Sequence, residues 1–573
     1  MNRNTEMHFT ELPQISQNRS KFDMSHSVKT SFNVGDIIPL DVQEILPGDT
    51  EELDMASVIR MTTPIVPVMD NLVWDVYSFF IPNRLVWDHW EAFWGQNDDP
   101  WTQEIDYRVP KIESPDGGWE EGTIADYMGI PTKVELKGEH AINALPFRAY
   151  AKIINDFFRD ENLQYACEIS KDETTRTGVN TGSYVTDTQL GGKPFIAAKT
   201  HDYFTSCLPQ PQKGQPVNLP LEGTLGVKTA QVSLIDYLSG KQPTWNHNGS
   251  NIVYERTDNL TIDGQHTYTP TIVGMGNSQT SPGPVGGANL GMGPAPEGQQ
   301  TYAGLKPINL YADLADSTRI TINQLRTAFA IQKYYEAAGR NGTRYIEYLK
   351  AVFGVESSDA RLQRAEYLGG KRIPINMDQV LQTSATDNTS PQGNTAAFSC
   401  TIDSDSYYTK SFEEHGYRII VGVARVAQRT YQQGLNRMWS RDSWLSYYNP
   451  YFANLGEQAV LEKEIYCQGT EEDETAFGYQ EAWAEYRYRQ NTVTGFMRSN
   501  ATQGTMDYYH YADNFTEAPN LGETFIQEPK TNIDRTLAVT AELADQMFGD
   551  FYLKQQMVRC MPVYSIPGLI DHV

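Results

Sequence analysis

Several things are scarce in this sequence, and each scarcity removes a class of protein. Cysteine occurs five times in 573 residues, at Cys167, Cys207, Cys400, Cys467 and Cys560. The five are scattered, odd in number and never spaced C-x-x-C, which argues against a disulfide framework or a zinc site and suits a reducing cytosol. No apolar run approaches the ~18 residues a membrane span needs. The first eighteen residues are polar and lack the apolar stretch of a signal peptide, so the sequon Asn514-Phe515-Thr516 carries no glycosylation meaning. Positive charge is also short: 46 Lys and Arg stand against 72 Asp and Glu, a net charge of −26. A nucleic-acid binder draws its affinity largely from neutralising phosphates. Any DNA contact must therefore be confined to one face or delegated to a basic partner. The acidity itself keeps a concentrated, assembling protein soluble.

Catalytic patterns are missing too. There is no G-x-S-x-G, no G-x-x-x-x-G-K-[ST] and no H-E-x-x-H. Asp88-His89 and His201-Asp202 are adjacent acid–imidazole pairs, but neither has a third group nearby, and a structural histidine explains both. Gly274-Met-Gly276 and Gly291-Met-Gly293 lie in Pro-rich coil without the strand and helix of a phosphate loop. Glu481 and Glu485, with Trp483 between them, would share one side of a helix and could form a glycosidase pair; a solvated acidic face explains them equally. Glu471 to Glu474 reads as an exposed loop. No cofactor and no metal ligand set is expected.

What is present is aromatic, β-forming and loop-rich. The chain has 33 Tyr, 22 Phe and 10 Trp, rings that suit either a core or a protein–protein interface. Residues 1–30 read as a polar arm with Arg3, Arg19, Lys21 and Lys29. Ser31 to Asp41, Leu72 to Ile81, Tyr417 to Ala427 and Phe551 to Cys560 read as strands, the third buried on both faces. Pro146 opens a helix with Phe147, Tyr150, Ile154 and Phe157 at helical spacing. Thr321 to Gln324 has capping-box spacing and starts a second helix, with Ile322, Leu325 and Phe329 inward and a stop near Gly339. A third runs from Thr343 to Gly354. A short one near Arg84 to Trp94 carries Trp87, Trp90 and Trp94 on roughly one side. Widely separated strands with helices and long excursions between them fit a β-sandwich with enlarged loops better than a doubly wound sheet.

Composition changes sharply after the segment Tyr203 to Gln212. Thirteen of the 31 residues from Gly274 to Gly304 are Gly or Pro, and a loop of that length is usually functional or disordered. The 209–305 block also holds strand-like pieces at Asn251 to Glu255 and Leu260 to Asp263, and it reads as a surface-projecting insertion. A linker between two domains is the alternative. This divides the chain into a 1–30 arm, 31–208, the insertion 209–305, and 306–573.

One stretch runs against the acidity. Arg418, Arg425, Arg429, Arg437 and Arg441 occur with no acid between Tyr417 and Arg441, beside Trp439, Trp444, Tyr447 and Tyr448. Cations interleaved with rings are what sequence-tolerant single-strand binding uses. The competing reading is that these arginines pair with acids from distant segments or bridge subunits.

Seven segments in order then resemble one family. They are Phe147 to Asn162 (FRAYAKIINDFFRDEN), Asp202 to Gly214 (DYFTSCLPQPQKG), Asn341 to Glu347 (NGTRYIE), Asp359 to Gly370 (DARLQRAEYLGG), Thr430 to Arg441 (TYQQGLNRMWSR), Leu455 to Val460 (LGEQAV) and Met561 to His572 (MPVYSIPGLIDH). Together they resemble the major capsid proteins of gokushoviruses, a Microviridae subfamily, over essentially the whole chain. The resemblance implies an eight-stranded antiparallel jelly roll with long, partly helical loops. It implies self-assembly into a T=1 icosahedral shell around circular single-stranded DNA, in a bacterial host's cytoplasm. It also implies a small basic internal protein that condenses DNA, and a loop insertion raised at the threefold axes for host attachment. Trp245, Tyr254, Tyr268, Met275 and Met292 would then belong to that protrusion, and the five arginines with Trp439 would face DNA. A carbohydrate-active β-sandwich enzyme and a glycan-binding adhesin share the aromatic-rich β composition and stand as the alternatives.

Overall fold

The computed structural model describes residues 18–96, 107–215, 217, 363–384, 386, 391–393 and 395–564. Between 218 and 362 it describes helix Ile322–Arg340, residues 347 and 349–354, and seven short strands. The described chain is mostly β, in antiparallel sheets with modest helix. Gln215–Tyr334 forms one compact unit and the rest of the chain another. The smaller unit overlaps the 209–305 block but runs on to Tyr334.

Eight long strands build the larger unit. In chain order they are β1 (two segments, Ser20–Asp23 and His26–Phe32), β2 (Ile38–Ile45), β3 (Thr50–Met61), β4 (Leu72–Pro82), β5 (Glu366–Pro374), β6 (Thr401–Ser411), β7 (Gly416–Val426) and β8 (Met547–Arg559). One sheet runs β1-β8-β3-β6 and the other β5-β4-β7-β2, with every neighbour antiparallel. Both segments of β1 hold one register on β8: Phe22 faces Met557 and Val28 faces Phe551.

Burial patterns explain the layering. Along β8, Met547, Phe551, Leu553 and Met557 are buried while Phe548, Asp550, Tyr552 and Lys554 are not. That period of two means one covered face and one facing solvent. In contrast β4 and β7 are buried along nearly their whole length, because both of their faces are packed. Toward the first sheet they present Trp74, Val76, Ile420 and Ala424, which meet Phe32, Leu53, Met55 and Phe551. The Trp74 ring lies 4.5 Å from Phe32 and 5.6 Å from Phe551. Gly422 leaves room for it, since a Cβ there would sit 2.3 Å from the indole. On the opposite side Phe79, Ile81, Ile419, Val421 and Val423 pack under helix α1 (Leu145–Ile153), against Phe147, Tyr150 and Ile153, together with Trp87 and Trp119.

Several sequence expectations change. Ser31 to Asp41 is not one strand: the chain turns at Gly35, at φ +88° with Glu528 against it, and passes from one sheet to the other. Residues 1–17 of the arm lie outside the described residues, while Ser20 to Phe32 is an edge strand whose Val28 and Phe32 pack on the core. Thr321 and Thr343 also lie outside. Helix Ile322–Arg340 leaves Phe329 67% exposed, not inward. The tryptophan segment is two short turns, Asn83–Leu85 and Trp90–Phe93. Trp87 is buried there, whereas Trp94 is largely exposed and stacks on His415.

Candidate interaction surfaces

The arginine strip is the first candidate, and the structure gives each of its five guanidinium groups an acid of this same chain. Arg418 is fully buried between the two sheets. Its Nη2 lies 3.0 Å from Glu51 Oε1, and Nη1 pairs with Asp41. Glu51 also accepts from Tyr408 Oη at 2.9 Å and from Gln555 Nε2 at 2.7 Å, while Asp41 accepts from His26 Nε2 at 3.2 Å. One charged network thereby draws on β1, β2, β3, β6, β7 and β8. Burial alone would raise the Asp41 carboxyl, but Arg418 and His26 outweigh it and hold it at about 2. The hydrogen bond to Asp41 raises His26.

Arg429 is likewise buried, paired with Glu528 and 3.6 Å from Asp513. Lys199, at 3.1 Å from Asp513, completes that cluster and is lowered by burial. Arg425 pairs with Asp75, which Arg372 also grips with two hydrogen bonds of 2.7 and 3.0 Å. Arg437 reaches Glu464 at 3.3 Å and Arg441 reaches Glu485 at 2.9 Å. These charges hold the subunit together. Arg418 and Arg429 are buried on carboxylates, and Arg425, Arg437 and Arg441 are partly buried with their charge engaged by acids, so none of the five is a free cation at the surface. Asp41, Glu51, Asp75, Asp513 and Glu528 lie tens to hundreds of residues away, so nothing local in the sequence marks them as partners.

The rings of that stretch behave differently. Trp439 is 71% exposed, Trp444 69% and Tyr451 95%. Tyr447, Tyr448, Met438, Leu445 and Leu455 are exposed as well. They sit on loops and short 3-10 turns, Arg437–Ser440, Trp444–Ser446 and Pro450–Phe452. Side-chain oxygens cap two of these turns: Asn436 accepts from the Met438 N–H and Asn449 from the Tyr451 N–H. A separate apolar cluster gathers Tyr203, Phe204, Val460, Ile465, Phe477 and Phe525.

The acid pairs assemble no catalytic group. Glu481 ends a strand, Ala476–Glu481, and pairs with Arg487. Glu485 is held by Arg441, and Trp483 is buried with its Nε1 donating to the Phe452 carbonyl at 2.8 Å. Because this segment is strand and turn, the helical juxtaposition expected from their spacing does not form. Glu471–Glu474 is a 3-10 turn with Asp473 buried. Next to it, burial and the Asp473 charge push the Glu462 carboxyl up to about 7. His89 bonds Glu173, while Asp88 faces Lys171. Asp202 ties Phe204, Thr205 and Tyr431 and does not touch His201. Among the described residues no group of three or more His, Cys, Asp or Glu is arranged for a metal, and no helix is long and apolar enough to cross a membrane. Of the insertion residues, Trp245 and Tyr254 lie on strands Thr244–His247 and Ser250–Arg256; Tyr268, Met275 and Met292 lie outside the described residues.

Comparison with known proteins shows the family. Residues 10–569 match the family model described as capsid protein (F protein). Capsid protein VP1 of Spiroplasma virus 4 is 41% identical over 556 residues, 96% of this chain and 95% of that protein. Capsid protein VP1 of Chlamydia phage 1 is 40% identical, covering 98% of this chain and 97% of its own length. That of Bdellovibrio phage phiMH2K is 40% identical, covering 99% and 98%. The chain belongs to the capsid protein (F protein) family and is a structural protein of the gokushovirus kind, not an enzyme.

Proposed function

We propose that copies of this chain close into a T=1 icosahedral shell around a circular single-stranded DNA genome. As a capsid protein the chain resides in the virion; assembly in the host cytoplasm is part of the proposal. The observation that carries the reading is strand order. Sheets running 1-8-3-6 and 2-7-4-5 are the order obtained when an antiparallel hairpin of eight strands is rolled up, the jelly roll of many viral coats. A compact sandwich of this kind can be tiled by closed symmetry, with specificity carried by long loops.

The 209–305 insertion, including Trp245, Tyr254, Tyr268, Met275 and Met292, is proposed to project at the threefold axes and meet a host receptor. Its Gly and Pro content and its overlap with the compact unit Gln215–Tyr334, which lies between β4 and β5 in the chain, support this. DNA is proposed to be neutralised chiefly by a small basic internal protein. A net charge of −26 and arginines already engaged by acids leave the coat little cationic charge of its own. Particles purified from producing cells should hold circular single-stranded DNA that resists added nuclease until the shell is opened. Particles carrying double-stranded DNA or no nucleic acid would overturn the genome assignment.

A further inference from the structure

We infer that the exposed aromatic surface formed by residues 438–455 is a subunit–subunit contact, covered in the shell by a neighbouring copy of this chain. The inference rests on the shell reading above and names one of its contact faces. Within eighteen residues, Met438, Trp439, Trp444, Leu445, Tyr447, Tyr448, Tyr451 and Leu455 are all at least half exposed.

Area is the first argument. At about 150–250 Å² per aromatic side chain, the exposed parts of the five rings alone come to roughly 700 Å². The largest apolar patch on a typical monomer is about 300–600 Å², and a standard protein interface buries about 800 Å² per partner. The rings together with three aliphatic neighbours therefore match one side of an interface.

Rigidity is the second. Tyr448 packs on Trp483 at 5.8 Å and Trp444 on Phe452 at 6.1 Å. The Arg441 guanidinium lies 5.8 Å from the Tyr447 ring and 4.9 Å from Tyr486. Rings pre-positioned in this way lose little entropy on docking.

Charge decides between occupants. Single-stranded DNA could stack on the same rings, but stacking platforms work beside free cations. Here Arg437 and Arg441 are occupied by Glu464 and Glu485, and a chain of net charge −26 repels phosphate. An apolar surface whose arginines are already paired, on a protein made in many copies, fits a second copy.

The test compares wild-type chain with the Trp439→Ser/Tyr451→Ser double variant, made with the same assembly partners. Both side chains are largely in water, so the free subunit should keep its wild-type melting profile. Shells should require at least about tenfold more protein, as expected on removing two interface rings. Shells forming at the wild-type concentration, with or without a loss of DNA, would overturn the inference; loss of DNA alone would assign the surface to nucleic acid. Hydroxyl-radical oxidation of intact particles gives a second readout that does not need the variant. Trp439, Trp444 and Tyr451 should be shielded relative to free subunits, and should stay shielded in particles emptied of DNA. Oxidation at the free-subunit rate in emptied particles would refute the contact. A wild-type chain that forms no shell at all would refute the shell reading itself, a separate outcome.

Discussion

Replacing Arg418 by methionine tests whether the arginine strip serves the fold or the genome. Arg418 and Glu51 are both fully buried, and the guanidinium is the cation that Glu51 and Asp41 face between the sheets. Methionine keeps much of the volume but strands the Glu51 carboxylate in a water-poor core and leaves Asp41 with His26 alone. Removing one partner of a buried pair costs about 3–5 kcal/mol, mainly through the uncompensated charge left behind. Since the chain has two compact units, a single global unfolding energy is poorly defined. Hydrogen exchange on a peptide spanning 416–426 reads the local opening energy instead. At about 1.4 kcal/mol per tenfold, that loss corresponds to exchange roughly 10²-fold to several thousandfold faster in β7. Arg418→Met with Glu51→Leu should recover part of the loss, because the second change removes a stranded carboxylate. Wild-type protection in Arg418→Met, combined with lower DNA content in particles, would refute the reasoning and restore the DNA-facing role.

Two further outcomes follow from the same geometry. Glu462 is lifted from 4.5 to about 7 by burial and by Asp473, so the folded state holds a proton that the unfolded chain has released. Stability from this group is complete below pH 4.5, declines as pH rises toward 7 and is flat above it; melting of Glu462→Gln relative to wild type should lack that decline, and parallel pH profiles would contradict it. Gly422→Ala places a methyl 2.3 Å from the Trp74 indole, and such overpacking costs about 1–3 kcal/mol. It should lower the melting temperature of free subunits, and an unchanged melt would show that the sheets can shift apart there.

What the sequence made legible was whatever depends on neighbours along the chain. Leu72 to Ile81 and Tyr417 to Ala427 were readable as strands because a run of apolar side chains needs no distant partner to be recognised. Both proved to be central strands with two packed faces. The helix opened by Pro146 was readable for the same reason. Long-range pairing was not. The five arginines looked like a phosphate track because their acids come from Asp41, Glu51, Asp75, Asp513, Glu528, Glu464 and Glu485, on other elements. A break that local reading missed, at Gly35, turns on a single positive φ that carries the chain between sheets. Family membership was legible in seven ordered segments, and the comparisons bear it out over nearly the whole chain.

If this sandwich, with its enlarged loops, is the repeating unit of a closed coat, intact particles must show it. Cryo-electron microscopy of purified particles tests it most directly. The expected result is the smallest icosahedral lattice, one chain per asymmetric unit, with sheets β1-β8-β3-β6 and β5-β4-β7-β2 in every copy. A larger or non-icosahedral lattice, or a subunit whose strands pair in another order, would contradict it.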